Sequence, residues 1–222
     1  MNRLPSHLFI TGTDTEVGKS IVTAALAASA IGPIAALKPI ASGVKAGEAG
    51  EDARLLGFAA QHAPEERYTW EEPVSPHRAA ENSGQHAHLG ETLAWIREKP
   101  CAQLLVEGVG GWRVPIGWDW GVPELAKALG YPVLLVAANR LGVINHTLLT
   151  LDAIRASGLH CTGVVLNQLA PSSTPPSPAQ RHNLEDLQNL LPHLCVTSFP
   201  SLRSLERPVL SEAGHALRQA LS

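Results

Sequence analysis

The chain has 222 residues, is 45% hydrophobic, and carries 17 Lys and Arg against 20 Asp and Glu for a formal net charge of −3. A chain of this length can bury an ample core as one α/β domain, and its apolar fraction is that of a globular protein rather than a disordered one. Without a basic excess no polyanion-binding surface is expected, so nucleic acid is not among the expected partners.

Cys101, Cys161 and Cys195 are scattered and match no metal or redox spacing, which reads as buried thiols in a reducing compartment. The polar opening as far as Pro5 is too short for a signal peptide. Apolar runs such as Val133 to Ala138 are too short to cross a bilayer. A cytoplasmic protein without a membrane partner is the expectation.

In chain order, the candidate strands are Leu8–Thr11, Ile34–Lys38, Gln103–Glu107, Val133–Ala137, Thr162–Leu166 and Cys195–Phe199. Helical spacing falls between them at Lys19–Ala30, Leu89–Arg97, Val122–Leu129, Asn145–Ser157 and Ala179–Leu190. Alternation of this kind predicts a mostly parallel central sheet with helices on both faces. Several strands are continuous apolar runs, as strands covered on both sides require. Residues 60–88 and 170–178 read as irregular, rich in Pro and polar turn formers. Neither is long enough to separate independent domains, so residues 1–222 are expected to form one domain with an elaborated surface.

The strongest local signal is Gly12-Thr13-Asp14-Thr15-Glu16-Val17-Gly18-Lys19-Ser20, between the first strand and the first helix. A strand, a loop of small residues and a Gly-Lys-Ser helix start is what a phosphate-binding P-loop needs. Free N–H groups and the helix dipole face the anion. Lys19 reaches the terminal phosphates, and the Ser20 hydroxyl is of the kind that ligates Mg²⁺. Five residues separate Gly12 from Gly18 where the usual pattern has four.

Val106-Glu107-Gly108-Val109-Gly110-Gly111 ends the third candidate strand, on the edge where parallel sheets bind ligands. An acid followed by bare backbone suits a metal beside a closely approaching ligand. Lys38-Pro39-Ile40-Ala41-Ser42-Gly43 ends the second. A lysine there is placed to stabilise charge during phosphoryl transfer, although most lysines are simply exposed. Asp52 is read either as a helix N-cap or as a second metal carboxylate, the cap being preferred on its own. Asn145 is read as the N-cap of a later helix, whose free N–H groups form an anion site. His86 and His88 lack further ligands at metal spacing and read as surface histidines. Trp112, Trp118 and Trp120 read as too clustered for ordinary core.

These segments resemble one family, the dethiobiotin synthetases. The matching runs are residues 11–20, 38–43, Glu-Pro-Val-Ser-Pro-His at 72–77, 106–112, and Leu-Gly-Val-Ile-Asn-His-Thr-Leu-Leu-Thr at 141–150. They come in family order across nearly the whole chain, and the family's Thr-Asp-Thr-Glu-Val run accounts for the extra loop residue. The resemblance implies a P-loop NTPase-like fold and a homodimer acting on 7,8-diaminononanoate, CO₂ or bicarbonate, and MgATP. It implies carboxylation of one amine to a carbamate, phosphorylation of that carbamate, and closure of a cyclic urea by the second amine.

By matched position, the resemblance makes Thr15, Lys19 and Lys38 catalytic and Ser20, Asp52 and Glu107 the metal's oxygens. It places ATP against Thr13, Glu16, Val17, Gly18, Lys19, Ser20 and Ile21, and against Glu107, Gly108, Val109 and Gly110. Asn167 and Gln168, with Pro200, Ser201 and Leu202, face the adenine; the family often has Asn-Asp at 167 and 168. Substrate meets Thr15, Lys38 and Ser42, and its distant carboxylate meets Gly142, Val143, Ile144 and Asn145 across the dimer interface.

Two other classes compete with this reading. A P-loop amidoligase normally carries a glutaminase domain with a nucleophilic Cys, for which 222 residues leave no room. A partitioning ATPase of the ParA or MinD kind carries a further lysine early in the loop, and Thr13 to Glu16 supplies none.

Overall fold

The computed structural model describes residues 4–169 and 175–222. The first half of the chain runs β1 (His7–Gly12), α1 (Lys19–Ala28), β2 (Ile34–Leu37), β3 (Ile40–Ser42), α2 (Glu51–Ala60), β4 (Tyr68–Trp70), α3 (Pro76–Ser83) and α4 (Leu89–Arg97). The second half runs β5 (Gln103–Gly111), α5 (Val122–Leu129), β6 (Val133–Ala138), α6 (Val143–Ala156), β7 (Cys161–Asn167), α7 (Pro178–Leu190), β8 (Cys195–Phe199) and α8 (Arg207–Ala220). Six strands form one sheet in the order β2-β5-β1-β6-β7-β8. Every neighbouring pair in it is parallel. β3 and β4 make a separate parallel pair.

Successive side chains on a strand face opposite sides, and the apolar runs use both. Phe9, Val106, Leu135 and Val164 join a core with Ile96, Leu125, Leu151, Ile154 and Leu187 of α4 to α7. Leu8, Ile10, Leu105, Leu134 and Val165 join a second core with Leu26, Leu56, Leu210 and Leu217 of α1, α2 and α8. At about 1.5–3 kcal/mol for each fully buried large aliphatic or aromatic side chain, two such cores hold the sheet firmly. The carboxyl ends of β1, β5 and β6 thereby become a rigid platform. α8 also grips the ends of its neighbours. Arg218 donates to Leu26 O at 2.7 Å and to Ser29 Oγ at 3.0 Å, while Arg207 donates to Ala59 O at 3.2 Å. The bonds to Leu26 and Ala59 occupy carbonyls at the C-terminal ends of α1 and α2 that helix geometry leaves free.

The expected strands and both-sided helices are present, with several corrections. Residues 60–88, expected to be irregular, contain β4 and α3. β4 is three residues long, too short to display alternation, and exists because β3 pairs with it. α2 and α8 add to the five expected helices. α8 carries the signal in full, since its buried Leu210, Ala213, Gly214 and Leu217 follow helical spacing. Trp112 and Trp120 are core residues after all, 3% and 8% exposed. Of the three, Trp118 alone is at the surface, donating to Glu81 Oε2 at 2.6 Å. Cys161 is buried, and burial pushes its thiol up to about 11; Cys101 and Cys195 are half-buried. Of the segment 170–178, residues 170–174 lie outside those described, and Pro178 already belongs to α7. Among the described residues no helix is long and apolar enough to cross a membrane.

Candidate active site

The loop between β1 and α1 is shaped by two left-handed residues. Glu16 has φ 55° and Gly18 φ 89°, the first a strained choice for a residue with a side chain. At Gly18 a side chain is excluded by space as well, because a Cβ would lie 1.9 Å from Asn167 Nδ2. The Asn167 amide donates to Val17 O at 3.0 Å, so the end of β7 braces the loop. Thr13 N donates to Val136 O at 3.0 Å, fixing the loop to β6. Thr15 and Glu16 are exposed at the crest, Val17 is buried beneath them, and Ile21 is half-buried on α1. The first turn of α1 thus presents its partnerless N–H groups at the sheet's carboxyl edge, an anion site by construction.

Beside this turn lies a cluster of charged and hydroxyl side chains. Lys38 Nζ stands 2.6 Å from Glu107 Oε1 and 2.8 Å from Asp52 Oδ2, and it also donates to Gly108 O at 3.3 Å. Ser20 Oγ is 2.6 Å from Asp52 Oδ1 and 2.8 Å from Glu107 Oε1. A hydroxyl has one proton, so it serves one carboxylate at a time. Lys19 donates to Asp14 O at 3.0 Å and is 6% exposed. Glu107 and Lys38 are 1% and 4% exposed. A solvated strand-end cation is the commoner fate of lysine; the pairing of β2 with β5 places Lys38 inside instead.

The two lysines respond oppositely to this environment. Burial lowers Lys19, the neighbouring Lys38 lowers it further, and attraction to Glu107, Asp52 and Asp14 restores only some of the loss, leaving it at about 8. Burial also acts against the Lys38 cation, but Glu107 and Asp52 outweigh it and hold Lys38 above the usual lysine range. Burial pushes the Asp52 carboxyl up; the Lys38 charge and hydrogen bond, the Ser20 hydroxyl and the more distant Lys19 charge more than reverse this, and it lies below the usual range. Desolvation and opposite charge compete at each group, and the paired partner wins where it is in contact.

Asp52 is not a helix cap. Gly50 holds the cap position of α2, and Asp52 sits in the first turn with its carboxylate turned to Ser20 and Lys38. Ser20, Asp52 and Glu107 offer a hydroxyl and two carboxylates, an all-oxygen set suited to a hard cation whose coordination phosphate and water complete. Glu107 Oε2 is buried without a hydrogen-bond partner among the described residues, and such an orphaned acceptor fits a cation ligand. The residues present therefore fit Mg²⁺.

The remaining expected positions divide. Gly108, Val109 and Gly110 extend β5 past Glu107, and Gly12 pairs with Gly111, so this strand end runs beside the loop. Ser42, at the end of β3, lines a groove of about 500 Å³ with Glu16, Asp52 and Glu66. Asn145 is corrected: it is the third residue of α6, and Gly142 is the cap, at φ 92°. Gly142, Val143, Ile144 and Asn145 nonetheless form one helix start. Arg140, just before it, reaches Asp14 of the phosphate loop at 3.3 Å. Gln168 follows β7, its amide held by Asn139 and Ser198 at 2.9 and 3.2 Å. Pro200, Ser201 and Leu202 follow β8, beside Gln168, whose N–H donates to Phe199 O at 2.9 Å.

Sequence reasoning did not identify the amide cluster around Asn139. Asn183 Nδ2 donates to Asn139 Oδ1 at 2.7 Å, while Asn139 Nδ2 donates to Gln180 O at 3.0 Å. Its signal was a polar residue directly after the apolar run of β6.

A family model described as an AAA domain matches residues 6–209. A relative from Saccharopolyspora erythraea named ATP-dependent dethiobiotin synthetase BioD is 41% identical over 186 residues, 82% of this chain and 81% of the relative. Another of that name, from Pseudomonas paraeruginosa, is 37% identical over 207 residues, 87% and 89% of the two chains. Among solved structures, a McdA variant from Cyanothece in complex with ATP superposes with TM-score 0.53 at 13% identity, over 97% of this chain and 95% of that one. A putative plasmid partition protein from Borrelia burgdorferi bound to AMPPNP gives 0.54 at 10% identity, over 98% and 97%. At such identities the solved structures speak to the fold, which is the P-loop NTPase arrangement. With its sequence relatives similar over four-fifths or more of their length, this chain belongs to the ATP-dependent dethiobiotin synthetase family of ligases.

Proposed function

We propose that this chain converts 7,8-diaminononanoate, CO₂ and ATP to dethiobiotin, ADP and phosphate, as a cytoplasmic homodimer of a single domain. The observation that carries this reading is the meeting of Lys19, Lys38, Ser20, Asp52 and Glu107 at one helix N-terminus. Two cations and two carboxylates balance, and an incoming triphosphate adds charge that Mg²⁺ offsets.

In this reading one amine of the diamine attacks CO₂ and loses a proton, giving a carbamate. A carbamate oxygen then attacks the γ-phosphorus in line, and ADP leaves. The second amine attacks the carbamoyl carbon of the mixed anhydride, phosphate departs, and the five-membered cyclic urea closes. Carbamate and γ-phosphate are both anionic, so their approach needs preorganised positive charge. Lys38 stands where the two meet, and Lys19 with the loop N–H groups holds the terminal phosphates. Thr15 and Ser42 orient the carbamate. Ser20, Asp52 and Glu107 would hold Mg²⁺, which would supply Lewis-acid charge stabilisation when bound.

The first turn of α6, Gly142 to Asn145, takes the distant carboxylate through its free N–H groups. Asn167, Gln168 and the turn from Pro200 to Leu202 enclose the adenine. Asn167 Nδ2 spends one of its two protons on Val17 O, and its Oδ1 is the acceptor for an amino group of the base.

An assay with diaminononanoate, bicarbonate and MgATP, omitting each in turn, tests the reading through ADP release and the mass of the product. Dethiobiotin formed only with all components supports it. ATP hydrolysis indifferent to the diamine would sink it in favour of a nucleotide switch.

A further inference from the structure

We propose that Glu66 is a positioning residue that holds Asp52 in register with Ser20 and Glu107. The proposal rests on the reading of Asp52 as a metal ligand. Glu66 lies between α2 and β4, outside the loop and strand ends that carry Lys19, Lys38 and Glu107.

α2 begins without a side-chain cap of its own. The acceptor comes from across the fold, because Glu66 Oε2 takes the Gly50 N–H at 3.0 Å. The neighbouring residue holds the other partner: the Glu65 carbonyl accepts the Lys38 N–H at 3.0 Å. Adjacent residues 65 and 66 therefore grip the two backbones that carry the Lys38–Asp52 pair. Asp52 is two residues from the gripped amide, in the first turn, so any drift of that turn moves its carboxylate directly.

The fit at Gly50 is close. A Cβ there would lie 2.6 Å from Glu66 Oε1, so the carboxylate is packed against bare backbone. Oε1 is buried and unpartnered among the described residues. A group kept only for stability is better replaced by one with no orphaned oxygen. A carboxylate that commits one oxygen to the amide and leaves the other unpaired suits a geometric duty. Outer-shell partners of metal ligands have this duty, and removing them weakens metal binding without touching the metal.

Mn²⁺ in the presence of ADP serves as the probe, read by electron paramagnetic resonance, alongside hydrogen exchange at residues 50–53. Glu66→Ala should weaken Mn²⁺ binding about ten-fold and speed exchange at Gly50. Glu66→Gln, whose side-chain carbonyl still accepts the Gly50 N–H, should restore both. Asp52→Asn is the control for the underlying reading. If Asp52→Asn weakens Mn²⁺ and Glu66→Ala does not, the positioning role alone is overturned. If neither weakens it, the metal reading of Asp52 falls and this proposal with it. If Glu66→Gln is as weak as Glu66→Ala, the hydrogen bond is not the means and the proposal fails.

Discussion

The carboxyl edge of the sheet is built in two styles. Around β2, β5 and the start of α1 it is made of charges: Lys19, Lys38, Asp52 and Glu107, with ion pairs at 2.6 and 2.8 Å. Around the ends of β6 and β7 it is made of amides: Asn139, Asn167, Gln168, Gln180 and Asn183, joined at 2.7–3.1 Å. Asn139, Asn167 and Asn183 are as buried as the lysines. The styles differ in what they recognise. Buried charges respond to other charges over several ångströms and move pKa values, whereas neutral amides act at contact and by direction. The first style suits a phosphoryl group in transfer; the second suits the uncharged edge of a base. The Asn167 contact with Val17 is where the two halves join.

The largest effect is expected on the charged side. Lys38→Met should lower kcat by about 10²–10³, as removal of a preorganised charge does at an anionic transition state. It should also cost about 3–5 kcal/mol of stability, because two carboxylates lose their counter-ion. Most lysines are exposed and carry little packing; the burial of Lys38 changes that, and urea titration beside the assay measures it. Asn139→Leu comes next. It strands Asn183 and Gln168 and should cost about 1–3 kcal/mol, with KM for ATP raised and kcat kept. A collapse of kcat instead would break the division between the halves.

The pH dependence sharpens it further. Lys19 loses its proton near pH 8 in the free protein, and the cation is the form that favours phosphate. Nucleotide affinity should therefore hold below about 8 and fall by up to about tenfold per pH unit above it, measured by calorimetry. Lys19→Met should flatten that limb, while Asn139→Leu should leave its midpoint in place. Gln168→Ala should do least. It is half-exposed, and losing one such contact raises KM by less than about tenfold.

Much of the charged half was legible because its components are local. Gly18, Lys19 and Ser20 open a helix directly after a strand, and Glu107 and Lys38 end apolar runs. Their convergence was not legible. Asp52 looks like a cap until α2 is placed beside α1, and Lys38 looks exposed until β2 pairs with β5. The amide half was nearly silent, since Asn139, Gln180 and Asn183 carry no motif and meet only through the packing of α7. β4 and α3 were hidden for a related reason: a three-residue strand is defined by its partner. α8 is different, because the helical spacing of Leu210, Ala213, Gly214 and Leu217 is present in the sequence itself. The cap of α6 shifted from Asn145 to Gly142 because a left-handed glycine can start that helix, a conformation that Asn145, inside the first turn, does not need.

The most direct test of phosphoryl transfer to a carboxylated amine is the fate of oxygen from bicarbonate. With ¹⁸O-labelled bicarbonate, diaminononanoate and MgATP, one labelled oxygen should appear in the phosphate released, because the carbamate oxygen that attacks ATP departs with phosphorus. Unlabelled phosphate, formed by water attack on ATP, would contradict it.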